Sequence, residues 1–197
     1  ALPGENYLAE QMEVVDVDGI HAARLFIMRT LAERLRGSLR ATYQTLHVRD
    51  REGYRIDSDA IGRRALKNTC LDYLMQLDDA ETRALCLEQF HSASTMTDQL
   101  GALAPLANCD GPERAAALAA FYARWRHEPL VVDKWLTLQA TSRLPGTLDV
   151  VRELMAHEAF NLRNPNKVRA LIGAFSQANS WHFHAADGSG YTFLADR

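Results

Sequence analysis

The sequence predicts an all-α fold, an irregular α-solenoid or superhelix of antiparallel helix pairs that is HEAT- or armadillo-like. Apolar residues recur at the three- and four-residue spacing of helices along nearly the whole chain, and no convincing run of alternating apolar and polar residues indicates a strand. Helix pairs recur at roughly 35 to 45 residues, which is the spacing of HEAT and armadillo repeats. Because no repeat consensus is visible, a compact helical bundle is the alternative.

The N-terminal part of the chain contains two predicted helices. A short helix is predicted over Glu5–Val14, and a longer one begins near Asp18. Gly37 is a candidate bend or break before the longer helix continues through Leu46. The polar run 47–56 is the next predicted connection. The side chains expected on the buried face of the long helix are Ile20, Ala23, Phe26, Ile27, Thr30, Leu31 and Leu35.

The next part of the chain shows helix starts with capping residues. Asp57 or Ser58 is the predicted N-cap of one helix, its partner runs over about 79–91, and Ser94 or Thr95 is the N-cap of a third. The side chains expected to face inward are Ile61, Ala65, Leu66, Thr69, Cys70, Tyr73, Leu74 and Leu77 on the first helix, and Leu100, Leu103 and Leu106 on the third.

Prolines mark the following helices. The segment 108–111 is a predicted turn, and Pro112 and Pro129 each fit a first helical position. Pro145 and Gly146 form another turn, after which Thr147 is the predicted N-cap. The apolar sets on these three helices are Leu118, Phe121, Tyr122 and Trp125, then Val131, Val132, Trp135, Leu136 and Leu138, then Val150, Val151, Leu154 and Met155.

The C-terminal stretch predicts a capped helix, an irregular loop rich in histidine and aromatic residues, and the start of another helix. Asn164 is the predicted N-cap and Pro165 fits the first helical position. Lys167 and Arg169 are expected off the apolar face, which is formed by Val168, Leu171, Ile172 and Phe175. Across the whole chain, the residues predicted to lie in the core are Leu31, Leu74, Phe121, Trp135, Leu154 and Phe175.

Composition indicates an ordinary globular chain. A length of 197 residues with 47% hydrophobic residues predicts one all-helical domain over 1–197. The net charge of -3 gives no electrostatic reason to expect nucleic acid, and no apolar run approaches the roughly 18 residues of a membrane span. Cys70, Cys86 and Cys109 are odd in number and widely spaced, which favours buried free thiols in a reducing compartment, hence the cytoplasm.

Three histidine patterns are candidates for metal sites. The pairs His127-Glu128 and His157-Glu158 begin like a helical His-Glu-x-x-His zinc site, but neither has the second histidine. The two histidines in 182–184 have no set of ligands at the right spacing beside them. We therefore predict no metal and no catalytic residue in this chain. The glycines in 188–190 predict a helix-entry turn, since a phosphate loop needs a preceding strand and a following lysine.

Two stretches carry a family resemblance. Residues 164–175, Asn-Pro-Asn-Lys-Val-Arg-Ala-Leu-Ile-Gly-Ala-Phe, and 183–194, Phe-His-Ala-Ala-Asp-Gly-Ser-Gly-Tyr-Thr-Phe-Leu, resemble the C-terminal helical domain of bacterial aminopeptidase N, a zinc metallopeptidase of the gluzincin type. Further matching stretches lie at 2–10, 89–98 and 132–142. The resemblance spans nearly the whole chain in the right order.

The resemblance implies a role without catalysis. In that family the zinc ligands and catalytic residues lie upstream, so this chain is expected to be a truncated C-terminal domain, inactive alone, of a larger enzyme that removes N-terminal amino acids from peptides. Its expected partners are the catalytic domain of the same parent chain and peptide substrates in an enclosed cavity, with zinc held by the parent enzyme. The expected cavity-lining or interface residues are Asn164, Asn166, Arg169, His184 and Tyr191.

Two alternatives stay open at this stage. The chain could instead be a free-standing helical-repeat scaffold that binds another protein through its concave face. Within the C-terminal stretch, Asn164 could simply cap its helix and Arg169 could make a local ion pair.

Overall fold

The structure is a computed structural model, and it describes residues 2–50 and 55–196. Within these residues the regular elements are helices and no strand is present, which agrees with the predicted all-α class. The helices are α1 (Glu5–Ala9), α2 (Val17–Asp50), α3 (Ser58–Leu74), α4 (Ala80–Ser92), α5 (Met96–Leu106), α6 (Pro112–Trp125), α7 (Pro129–Ala140), α8 (Thr147–Met155), α9 (Pro165–Val168), α10 (Ala174–Ala178), α11 (Ser180–Phe183) and α12 (Ser189–Ala195).

Two irregular helical turns complete the list of elements. A 3₁₀ turn, Met75–Leu77, follows α3, and a π-helical turn, Arg169–Gly173, joins α9 to α10. None of the helices in the described ranges is long and apolar enough to cross a membrane.

The chain divides into two compact units. The terminal unit contains residues 2–24 and 118–196, and the central unit contains 25–117 apart from 51–54. The borders between them fall within α2 and α6. The single domain over 1–197 stays a prediction.

The long helix α2 departs from its predicted pattern. It continues through Gly37 to Asp50, since a single mid-helix glycine costs only about 1 kcal/mol and does not break a helix by itself. Phe26 is 71% exposed and Leu31 is only half-buried, so the prediction that Leu31 lies in the core is wrong. The predicted connection begins later than expected, and its residues 51–54 lie outside the described residues. The buried apolar residues of α2 are instead Ala32, Tyr43 and Leu46.

Three helix starts in the central unit have side-chain caps, and two of these caps, Asp57 and Thr95, were each one of two predicted alternatives. The Asp57 side chain accepts a hydrogen bond from the Ala60 amide at 2.9 Å, and Asp79 accepts one from Thr82 at 3.0 Å. Thr95 accepts the corresponding bond from Asp98 at 3.1 Å. Each of these side chains satisfies an amide that the first helical turn leaves unpaired.

The buried face of α3 matches its predicted apolar face only in part: Cys70 and Leu74 are buried as predicted, but four other residues are not. Ile61 is 53% exposed and Leu66 is 50% exposed, and Ala65 and Thr69 are exposed as well. Lys67 is buried instead, because its Nζ atom lies 2.9 Å from Oδ2 of Asp98 on α5. The other buried residues of α3 are Ala60, Arg64, Cys70, Leu71 and Leu74, of which Leu74 confirms its predicted core position.

In the terminal unit, aromatic side chains form the core around α7 and α10. Phe175 makes edge contacts with Phe183 and Phe193, with ring centroids 6.1 and 5.7 Å apart. Trp135 is 6% exposed, and its Nε1 atom donates to the Leu118 carbonyl at 3.0 Å. The predicted core positions Phe121, Trp135, Leu154 and Phe175 are confirmed as buried.

The start of α8 corrects one predicted cap. Gly146 occupies the N-cap position at φ 78°, a left-handed conformation that favours glycine. Thr147 is the first helical residue, and its hydroxyl donates to the carbonyls of Leu144 at 2.7 Å and Ser142 at 3.1 Å. Thr147 therefore stabilises the preceding turn and does not cap the helix.

Candidate functional site

The segment from α9 to α12 contains all five residues predicted to line a cavity or an interface. At its start, the Asn164 side chain accepts a hydrogen bond from the Asn166 amide at 3.0 Å, and Pro165 occupies the first helical turn. This confirms the predicted cap. The side chains of Asn164 and Asn166 are both exposed, so they remain accessible to a partner.

Lys167 lies on the buried face, contrary to its predicted position beside Arg169. It is 8% exposed, and its Nζ atom lies 2.6 Å from Oδ1 of Asp133 and donates to the Pro129 carbonyl at 3.0 Å. A buried ammonium is tolerated because a carboxylate and a carbonyl replace water around it. Arg169 is exposed, as predicted.

A π-helical turn begins at Arg169. The amide of Ala174 bonds to the carbonyl of Arg169, five residues earlier, in place of the four-residue spacing of an α-helix. The hydroxyl of Thr137 on α7 donates to the Ala170 carbonyl at 2.9 Å and satisfies a backbone group within this turn. The apolar pattern of the sequence did not reveal the π turn, since that pattern fits an uninterrupted α-helix.

His184 and Tyr191 lie next to each other. The Nδ1 atom of His184 is 2.6 Å from the Tyr191 hydroxyl, and both side chains are exposed. They meet because α12 starts close to the end of α11. Gly188 caps α12 at φ 72°, and a Cβ atom on Gly190 would overlap the backbone carbonyl of Phe183. The predicted helix-entry turn at 188–190 is therefore confirmed, and its last glycine permits the close approach.

A cleft of about 780 Å³ is lined by His184 and Tyr191, together with residues from α1, the start of α2 and α10. Among its other lining residues are Glu5, Asp16 and Asp18. Asn164, Asn166 and Arg169 do not line this cleft. The five predicted site residues thus form two groups, one at the cleft and one on the exposed side of α9 and the π turn.

Aromatic contacts that the sequence analysis missed support one wall of the cleft. The Trp181 ring stacks on His21, with centroids 4.5 Å apart and planes 6° apart, and its Nε1 atom donates to Asp18 at 3.0 Å. His21 in turn has Nδ1 3.0 Å from Oε1 of Glu5. These partners are separated by 16 to 163 positions in sequence, so no local pattern could have paired them.

Two of the histidines in the candidate metal patterns, His157 and His182, have other contacts. The His157 Nδ1 atom accepts a hydrogen bond from the Ala159 amide at 3.0 Å. Burial lowers the pKa of the His182 imidazole, while hydrogen bonds to the backbone at Arg143 and Leu144 oppose this shift. Within residues 2–50 and 55–196, no group of three or more His, Cys, Asp or Glu residues could hold a metal ion. The site offers hydrogen-bond donors and acceptors and a positive charge on Arg169, which suit binding.

Helices packed against their sequence neighbours, without a strand in the described residues, place the protein among the armadillo-like helical-repeat proteins. The chain belongs to the family described as "Domain of unknown function (DUF3458_C) ARM repeats", whose model matches residues 1–197. The irregular α-solenoid class predicted from the sequence is thereby confirmed.

The relatives of this chain include aminopeptidases. It is 39% identical over 195 residues to aminopeptidase N of Escherichia coli (strain K12), and 37% identical over 195 residues to aminopeptidase N of Haemophilus influenzae. These matches cover 99% of this chain but only 22% of each relative. The resemblance to the C-terminal helical domain of bacterial aminopeptidase N is confirmed.

A solved structure gives the same result for the fold. The crystal structure of Legionella pneumophila aminopeptidase A in complex with aspartic acid superposes with a TM-score of 0.87 at 30% identity. The match covers 100% of this chain and 24% of that chain. The chain therefore spans about a quarter or less of the length of these relatives.

Proposed function

We propose that this chain is the non-catalytic C-terminal helical domain of a zinc aminopeptidase that removes N-terminal amino acids from peptides. In this role it covers the active site and shapes or gates the substrate chamber. The observation that carries the proposal is the match of nearly the whole chain to about a fifth of two enzymes named aminopeptidase N. The zinc and the catalytic groups then belong to the parent enzyme, its catalytic domain is the main partner, and the cytoplasm is the proposed location.

Arg169 is the side chain proposed to act on the substrate. Its guanidinium is exposed, and it stands at the start of a π turn, a distortion that is frequent at functional sites. A guanidinium binds a carboxylate through two parallel hydrogen bonds. We assign to Arg169 a contact with the carboxylate end of a peptide or with an acidic residue of the catalytic domain, flanked by Asn164 and Asn166.

Thr137 has a positioning role in this proposal. Its hydroxyl bonds to the Ala170 carbonyl within the π turn and so favours the distorted backbone over a regular α-helix. A π turn inserts one residue and rotates the side chains before it relative to those after it. The direction of the Arg169 side chain therefore depends on this bond. His184 and Tyr191 are proposed to border the chamber through the cleft that they line.

The first test is genetic and the second is kinetic. The gene should encode a His-Glu-x-x-His motif upstream of this region.

In the intact enzyme, Arg169→Ala should lower kcat/KM on longer peptides by about tenfold, because a charge-assisted contact is lost. The turnover of short aminoacyl amides and the melting temperature should stay nearly unchanged. Arg152→Ala is the matched control, since Arg152 is also exposed and forms an ion pair with the neighbouring Asp149 at 2.8 Å. Unchanged kinetics on both substrate types would refute the role of Arg169.

A helical-repeat scaffold is the second candidate function, and exposed apolar side chains favour it. In the central unit, Phe26, Ile61 and Leu66 are each at least half exposed. Apolar side chains of this size on a surface are typical of protein-binding faces when they are contiguous. An upstream gene sequence without a peptidase motif would favour the scaffold over the first proposal.

A further inference from the structure

Helix α1 is weakly anchored to the rest of the terminal unit. None of its 5 residues, all of them in the described part of the chain, is buried, and its N-cap Gly4 supplies no side-chain hydrogen bond. An isolated helix of this length is unstable in water. The helix therefore depends on contacts that its side chains make with neighbouring elements.

Glu5 provides such contacts at the first turn of α1. Its Oε1 atom lies 3.0 Å from Nδ1 of His21 and 3.9 Å from Nε of Arg24, both on α2. His21 is 6% exposed, and its ring is held in place by stacking on Trp181 of α11. The Glu5–His21 contact therefore joins an exposed helix to a well-packed part of the unit.

The same helix lines the cleft of about 780 Å³ through Glu5, Asn6 and Ala9. Ser180 of α11 donates to the Asn6 side chain at 3.4 Å, which is longer than the usual range of about 2.5–3.0 Å for a hydroxyl donor. Residues 11–16, which connect α1 to α2, are neither helix nor strand, and each of them is exposed. Such a segment can change its backbone angles at little cost in packing. Displacement of α1 would therefore remove part of the lining and widen the cleft.

We propose that α1 is a lid on this cleft, and that the contact between Glu5 and His21 holds the lid closed. In the closed state Glu5 contacts His21 and α1 lines the cleft. In the open state α1 leaves His21 by a change in the backbone of 11–16, while the stack of His21 on Trp181 stays in place because it does not involve α1. The inference does not depend on the proposed function, since the motion requires neither a substrate nor Arg169.

Hydrogen exchange of the full chain, followed by mass spectrometry, measures the opening. The amides of Leu8 and Glu10 report on α1, since they donate to carbonyls of its first turn at 3.1 and 3.0 Å. Glu5→Ala and His21→Ala should each speed exchange in α1 by at least about fivefold, the change in population that loss of one hydrogen bond produces. Exchange in α7 of the same unit should stay within about twofold of the wild type, because a lid opens without the core.

Two further variants are matched controls. Tyr122→Phe removes a hydrogen bond of similar length, 2.9 Å to Glu158, at a position of the same unit that does not line the cleft. It should leave exchange in α1 unchanged. The double variant of Glu5→Ala with His21→Ala should exchange no faster than the faster of the two single variants, because both substitutions remove the same contact.

A distance measurement tests the widening of the cleft. Spin labels attached to Tyr7→Cys on α1 and Ala186→Cys before α12, two exposed positions, should show a second distance whose share rises when His21→Ala is added. A single distance that His21→Ala leaves unchanged would mean that α1 does not move.

Several exchange results would also overturn the proposal. If α1 of the wild type exchanges like an unstructured peptide, the lid is not held closed. If α1 exchanges as slowly as α7, it opens only when the whole unit unfolds. If neither variant speeds exchange in α1, the Glu5–His21 contact does not hold it. If both variants speed exchange equally in α1 and α7, the contact stabilises the unit and not a lid.

Discussion

Among the described residues, each unit contains a buried lysine paired with an aspartate, and the two pairs differ in their surroundings. In the central unit, Lys67 and Asp98 are 2.9 Å apart, with side chains 2% and 6% exposed. In the terminal unit, Lys167 and Asp133 are 2.6 Å apart, with side chains 10% and 17% exposed. The first pair is part of a core, whereas Lys167 of the second pair borders a cavity that solvent enters. The charge of Lys67 is thus enclosed by protein, whereas that of Lys167 lies beside a cavity.

Hydrogen bonds explain how the central pair is accommodated. The Asn68 amide donates to Oδ1 of Asp98 at 3.2 Å, and the Gln89 amide donates to the side chain of Asn68 at 2.7 Å and the backbone of Asp98 at 2.9 Å. These contacts join α3, α4 and α5. A buried charge that is paired and hydrogen-bonded is tolerated, but one left alone is strongly destabilising.

The largest expected effect comes from Lys67→Met. The substitution leaves Asp98 as an uncompensated buried carboxylate, so the free energy of unfolding should fall by about 3–5 kcal/mol. Urea denaturation followed by circular dichroism measures this change. The double variant Lys67→Met with Asp98→Leu should recover most of the loss, because replacing both charges by apolar groups is often neutral. A single-variant loss below about 1 kcal/mol would contradict the description of this pair as part of the core.

The same substitution in the terminal unit should have a smaller effect. Lys167→Met leaves Asp133 without its partner, but Asp133 is more exposed than Asp98 and water can reach it. We expect a loss of about 1–3 kcal/mol, the range for a partly buried group that loses its hydrogen-bond partner. The urea midpoints of the two lysine variants, measured side by side, give the comparison. If both variants lose the same free energy of unfolding, the cavity beside Lys167 does not lower the cost of leaving Asp133 unpaired.

The smallest of these effects is expected for Asn164→Ala, at the start of the helix that carries Lys167. Loss of the N-cap should lower stability by about 1 kcal/mol. Asn161→Ala is the matched control, because the Asn161 side chain also accepts a bond from a backbone amide two residues on, at 2.9 Å, but caps no helix. The melting temperatures of both variants distinguish the loss of a helix cap from the loss of a hydrogen bond in a turn. If the two variants melt at the same temperature, the cap contributes no more than an ordinary turn.

Local features of the fold were predictable from the sequence, and the buried charges were not. The cap Asn164 was predicted, and Asp57 and Thr95 were each predicted as one of two adjacent candidates, because a capping side chain bonds an amide only two or three residues away. The burial of Lys67 and Lys167 was missed, because their carboxylate partners lie 31 and 34 positions away by residue number (98 - 67 and 167 - 133). Apolar periodicity alone would never place a lysine on an inward face.

The candidate site shows the same limit. The capped helix and the glycine turn before α12 followed from residue types, whereas the π turn did not, since the spacing of Leu171, Ile172 and Phe175 also fits an uninterrupted α-helix. The stacking of Trp181 on His21 depends on the tertiary fold. Which side chains share a cavity is set by contacts of this kind.

The two units also contain different natural probes of unfolding. All three cysteines, Cys70, Cys86 and Cys109, belong to the central unit, and all three tryptophans belong to the terminal unit. Burial, with Asp78 nearby, raises the pKa of the Cys109 thiol to about 12, so at pH 8 it is protonated and unreactive in the folded chain. The rate of thiol labelling therefore reports unfolding of the central unit, and tryptophan fluorescence reports unfolding of the terminal unit. No probe has to be introduced. If both signals change in the same unfolding transition, the two units unfold cooperatively. If they change in different transitions, the units unfold independently.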